Sequence, residues 1–218
     1  MRPMGLSISV GILYDQARND AEGFEYHRSA FARLGRALKA EEISWQEPEI
    51  TDPPGTRTFS GGFPYGYLTQ LRRILVLTDF GEPVTSALEV SEHQYDLDCE
   101  KVRDEMTRFD SHLLCHSDSA GYYVPVDFED PLFLPDEAEV AGAGIVGSSQ
   151  RLLAELAGMA SSIGIDLDDG GVPFATGEAG PAADPAMDRP FETERFAWYQ
   201  LHRACLASIA GGHAIVFH

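Results

Sequence analysis

A short apolar segment near each end constrains this fold more than any other feature of the chain. Leu6, Ile8, Val10 and Ile12 alternate with Ser7, Ser9, Gly11 and Leu13, the period-2 pattern of a strand with one buried face. A second run, His213-Ala-Ile-Val-Phe-His218, follows Gly211-Gly212. Strands near both ends with helical segments between them predict one α+β domain, residues 1–218, whose ends meet in one mixed or antiparallel sheet.

About five helices are expected to pack on that sheet. Phe24, Phe31, Leu34 and Leu38 form a stripe over residues 20–40, and Leu68, Leu71, Leu75 and Val76 repeat at helical spacing over 65–78. Cys99, Val102, Met106 and Phe109 are spaced 3, 4 and 3, which puts Asp98, Glu100, Lys101, Asp104 and Glu105 on the solvent side. Ser148 or Ser149 can cap a helix over 150–162 that Gly164 stops. Pro190 opens the last helix, with Phe191, Trp198, Leu201, Cys205 and Ile209 inward and Glu192 and Glu194 in its first turn. Residues 47–64 carry Pro48, Pro53, Pro54, Gly55, Gly61, Gly62 and Pro64 and read as a loop. His112–His116 and Tyr122–Phe128 flank a glycine-containing turn and read as a hairpin, with Pro125 at an edge or bulge. Residues 166–190, rich in Asp, Gly, Ala and Pro, are expected to be a mobile loop excursion.

Charge is distributed unevenly. Of the 35 acidic side chains, 16 lie between Glu82 and Glu139, against three basic ones, Lys101, Arg103 and Arg108. The first 80 residues are nearly balanced, with ten acids and nine bases. The middle therefore supplies −13 of the net −19. A field of this sign repels nucleic acid and anionic membranes and attracts basic proteins. The expected partner is a basic protein, with no nucleic acid and no membrane involved.

Cys99, Cys115 and Cys205 are odd in number, widely spaced and outside any C-x-x-C pair, which indicates reduced thiols. The N-terminal residues lack the long apolar stretch of a signal peptide, and no apolar run approaches the roughly 20 residues that span a bilayer. A soluble, cytoplasmic protein is expected.

The densest group of reactive side chains is His112, Cys115, His116 and Asp118. On a strand the two imidazoles would stand roughly 13 Å apart, too far for one metal ion. Buried thiol and half-exposed sheet histidines are the ordinary reading. Asp166-Leu-Asp168-Asp169-Gly170-Gly171 begins like a calcium loop, but Gly177 stands where a bidentate Glu is needed, so an acidic turn is expected instead. Gly61-Gly62-Phe63-Pro64-Tyr65-Gly66-Tyr67 is glycine-rich without a phosphate fingerprint, so an aromatic-lined loop is expected, with anion binding through Arg72 and Arg73 downstream as the alternative. No cofactor or metal site is indicated.

Several stretches carry a family likeness: Leu6–Gly11, Gly62–Tyr65, Ser111-His-Leu-Leu-Cys-His-Ser-Asp118 with Gly121-Tyr-Tyr-Val-Pro-Val-Asp-Phe128, Gly147-Ser-Ser-Gln-Arg-Leu-Leu153 and Ala214–His218. On these the chain resembles a family of uncharacterised bacterial proteins. The resemblance implies one bacterial domain and brings no activity with it.

Two functional expectations follow. The leading one is a binding protein, a bacterial immunity protein that neutralises a basic cognate toxin through Glu92, Asp96, Asp98, Glu100, Asp104 and Glu105. The alternative is a small hydrolase or metal-assisted enzyme in which His112, His116 and Asp118 act with Tyr122 or His218.

Overall fold

The computed structural model describes residues 5–49, 57–173 and 189–218. Its six strands are β1 Gly5–Val10, β2 Phe59–Pro64, β3 Gly121–Val124, β4 Leu132–Phe133, β5 Ile145–Ser148 and β6 Ile215–Phe217. They form one sheet in the order β2-β1-β6-β3-β5-β4. β3 and β5 run parallel and the other neighbouring pairs antiparallel, so the sheet is mixed. Ile8 on β1 stands opposite Phe217 on β6. The two end segments thus meet in one α+β sheet, as their alternation implied.

Seven helices are formed among the described residues: α1 Ile12–Asn19, α2 Ala21–Ala40, α3 Tyr65–Asp79, α4 Glu92–Met106, α5 His112–Cys115, α6 Ser149–Met159 and α7 Glu192–Gly211. Alternating residues feed two cores. Leu6, Ile8 and Val10 of β1, Tyr123 of β3 and Phe217 of β6 pack with α3, α6 and α7. Tyr122, Val124 and Val216 face the other way, against Phe31, Leu34 and Leu38 of α2. No helix among the described residues is long and apolar enough to cross a membrane.

Four local expectations need correction. β1 stops at Val10 because Gly11 turns left-handed, at φ 70°, and its carbonyl accepts from the Tyr14 N–H at 3.1 Å to start α1. Ile12 and Leu13 are therefore helical. Part of the expected 47–64 loop is β2, an edge strand paired with β1 over its whole length. Its glycines permit the pairing: a Cβ on Gly62 would overlap the Leu6 carbonyl oxygen. There is no hairpin at 112–128. Ser111 accepts from the Leu114 N–H at 3.1 Å, and Glu155 accepts the His112 and Leu113 N–H groups at 2.7 and 2.8 Å, so 112–115 winds into α5. β3 ends before Pro125 and pairs with β5 and β6 instead.

The 166–190 excursion lies partly outside the described residues, which end at 173 and resume at 189. Within its described part, Asp168 Oδ1 accepts from the Gly170 and Val172 N–H groups, both at 2.9 Å, and Leu167 bridges to Pro173. This is an acidic side chain closing its own turn.

Candidate functional site

Of the 16 carboxylates from Glu82 to Glu139, 13 are exposed; Glu82 and Glu105 are half-buried, and Asp98 is buried. Helix α4 organises the largest ordered share of them. Ser91 caps it by accepting from the Gln94 N–H at 3.2 Å. Glu92, Asp96, Glu100 and Asp104 follow at i, i+4 spacing and are all exposed. At 1.5 Å rise per residue, this row places a carboxylate about every 6 Å along one side of the helix. Like charges at i, i+4 weaken a helix by roughly 0.2–0.5 kcal/mol per pair, so the row does not serve the stability of α4.

Asp98 does not belong to that surface. Its side chain is 2% exposed and accepts from Arg73 Nε of α3 at 2.7 Å and from Gln94 Nε2 at 2.8 Å. Arg73 also donates to the Thr85 carbonyl at 2.6 Å and to its hydroxyl at 2.9 Å. The inner side of α4 carries Asp98 and Val102, rotated by one residue from the expected Cys99 face. Asp98 therefore anchors the helix, and its inclusion among contact residues is corrected by its burial.

A cleft of about 500 Å³ opens near the end of α4, where it meets α3, α5 and the 129–130 segment. Asp79, Glu105, Asp110, Glu129, Asp130 and Glu155 line it, with Arg108 the one base among its lining residues. Arg108 pairs with Glu105 at 3.1 Å and Asp110 at 3.3 Å. Burial raises the Asp79 carboxyl above its usual range, and the neighbouring Glu105 and Asp110 add to it. Burial pushes Glu155 up to about 7, against the pull of the Leu113 and His112 N–H groups. Asp79 and Glu155 lie outside the acidic tract in sequence, so no local pattern pointed to them. No cluster of three or more His, Cys, Asp or Glu among the described residues is arranged to hold a metal ion.

The histidine constellation is not brought together. Nδ1 of His112 accepts from the Ser148 N–H at 2.9 Å, and Nε2 lies 3.1 Å from the Glu129 carbonyl. His116 is buried, stacked on Tyr123 at 4.1 Å and edge-on to Phe217 at 4.6 Å; burial lowers its pKa to about 4. Asp118 pairs with Arg72, whose guanidinium also holds the Leu113 and His116 carbonyls at 2.9 and 2.5 Å. Tyr122 packs edge-on against Phe31 on the opposite sheet face, where burial raises its pKa to about 12. His218 lies on that same face, with Nε2 2.9 Å from Ser9 Oγ. The sheet thus stands between His116 and both Tyr122 and His218. Arg72 and Arg73, considered for anion binding, are buried and engaged with protein groups.

A family model described as "Putative DNA-mimic protein" matches residues 4–217. No curated protein and no solved structure matches the chain. An acidic, protein-binding character agrees with the reading of charge. The partner does not. A DNA mimic engages a protein that binds DNA, so the family match overturns both the expected basic toxin partner and the expectation that no nucleic acid is involved.

Proposed function

Because the chain belongs to this DNA-mimic family, we propose that it binds a DNA-binding protein on the surface that protein offers to DNA. The carrying observation is the exposed row Glu92, Asp96, Glu100 and Asp104 on α4, with half-buried Glu105 beside it. Each strand of a DNA duplex presents a phosphate about every 3.4 Å along the axis. A carboxylate about every 6 Å offers a sparser array of the same sign to the same arginines and lysines.

The row is preorganised. The buried Arg73–Asp98 pair fixes α4 to α3, so its carboxylates are not on a flexible tail, and less ordering entropy is lost on binding. Because the partner's basic groups interact with anions in both cases, the complex is salt-sensitive, and DNA and this chain exclude one another.

Proteins of the source organism retained by the immobilised chain and released by duplex DNA would be identified, purified and tested by gel shift. The chain is expected to displace DNA from such a protein in a concentration-dependent way. A partner that holds DNA and the chain simultaneously would overturn the proposal.

A further inference from the structure

The acidic cleft has an apolar border that charge mimicry does not require. Phe80, Phe109 and Phe133 are 52%, 55% and 48% exposed, and they are the exposed phenylalanines among the described residues. Phe80 lines the cleft together with Asp79 and Asp110. Phe109 immediately precedes Asp110, and its ring meets Phe133 edge-to-face at 5.1 Å and 84°. Phe80, the residue that follows α3, thus lines the cleft itself, and the Phe109–Phe133 pair, from the turn after α4 and from β4, adjoins it through Asp110.

Neither folding nor phosphate mimicry accounts for them. Leaving three large rings about half exposed gives up part of the burial that would stabilise the native state. Phe109 also has φ 61°, a left-handed conformation that a bulky residue adopts under strain. An asparagine or glycine would fit that backbone more easily. Interfaces, by contrast, concentrate their binding free energy in aromatic anchors surrounded by polar groups.

We propose, resting on the DNA-mimic reading, that Phe80, Phe109 and Phe133 are the apolar anchor of the partner interface. They receive an aliphatic or aromatic side chain adjacent to the partner's DNA-contacting arginines and lysines. Charge complementarity selects this occupant. The carboxylates of Asp79, Asp110, Glu129 and Asp130 share the cleft with Phe80, which disfavours a second copy of this −19 chain and any anionic surface. The carboxylates supply attraction and fast encounter, whereas the rings discriminate one DNA-binding protein from another and slow its release.

The experiment uses the full chain and the purified protein that duplex DNA releases from it. Phe109→Asn with Phe133→Ser is compared with Asp96→Asn, Glu100→Gln, Asp104→Asn over a salt series. The aromatic variant is expected to bind roughly tenfold or more weakly, with an unchanged slope of log Kd against log salt. The carboxylate variant is expected to flatten that slope. Phe133→Ser alone, at an exposed edge position, repeats the test should the double variant unfold. Wild-type affinity in the folded aromatic variant, with DNA still competing, would overturn the anchor and leave the mimic reading standing. If no retained protein is released by DNA, the mimic reading and the anchor fall together.

Discussion

Arg73 Nε donates to Asp98 Oδ2 at 2.7 Å, with the two side chains only 1% and 2% exposed. This pair joins α3 to α4 and sets the angle at which the exposed carboxylate row is displayed. Asp98→Ala would leave the guanidinium buried and unpaired, a change that destabilises by about 3–5 kcal/mol. Urea unfolding should show the loss. Asp98→Leu combined with Arg73→Met should recover much of it, because two apolar side chains leave no stranded charge. A loss below about 1 kcal/mol in Asp98→Ala would mean that water reaches the pair and that α4 is not anchored there.

The opposite sign is expected on the outer side of the same helix. Glu100→Gln with Asp104→Asn removes the like-charge pairs 96/100 and 100/104 and a negative charge near the helix C-terminus. Stability should hold or rise by about 0.5–1 kcal/mol, while affinity for the partner falls. Denaturant midpoints measured beside the binding series separate the two effects. A marked loss of stability would show that the row supports the fold.

Two buried groups give opposing pH dependences. Burial lowers His116 from 6.5 to about 4, so its native form takes up a proton later than its unfolded form during acidification. Its contribution is present above pH 6.5 and is lost as pH falls toward 4, by about 3 kcal/mol in full. Burial raises Glu155 from 4.5 to about 7, so its contribution is fully present below pH 4.5 and is lost as pH rises through 7. Between pH 4.5 and 6.5 the two partly cancel. His116→Phe, which keeps a ring against Tyr123, should be less sensitive to acid than the wild type. Glu155→Gln should lose stability more steeply with acid than the wild type. Unfolding free energies at half-unit pH steps test both, and parallel curves for all three proteins would refute the assignment.

What was legible in the sequence follows from how local each cause is. The end strands were readable because their alternation is carried by consecutive residues. The 92/96/100/104 row was equally open to reading, since α4 is regular and capped by Ser91. β2 was hidden because glycine and proline carry little strand propensity, and only the close approach of β1 explains their presence. α5 was hidden because Glu155, some 40 residues away, supplies the acceptors for its first N–H groups. Asp98 was misplaced by one residue of helical rotation. Arg72-Arg73 within the apolar face of α3 was the available signal: buried bases require acids, and Asp118 and Asp98 are those acids. The cleft draws Asp79 and Glu155 from beyond the acidic tract, a convergence only the tertiary fold creates.

The glycines of Gly61-Gly62-Phe63-Pro64-Tyr65-Gly66 provide a final test of what that segment does. Gly62 stands opposite Ser7 in the β1–β2 pair, and an added Cβ would collide with the Leu6 carbonyl. Backbone cannot yield there without opening the ladder, so Gly62→Ala should destabilise by about 1–3 kcal/mol and loosen the β2 edge. Gly66 lies in the first turn of α3 with open space around a built Cβ. Gly66→Ala should therefore stabilise by about 0.5–1 kcal/mol through helix propensity and a smaller unfolded-state entropy. Thermal unfolding distinguishes the pair, and amide exchange at Leu6 and Ile8, whose N–H groups face β2 while that of Ser7 bonds His218, should rise only in Gly62→Ala. Equal losses from both substitutions, with exchange at β1 unchanged, would mean that these glycines serve something other than strand pairing.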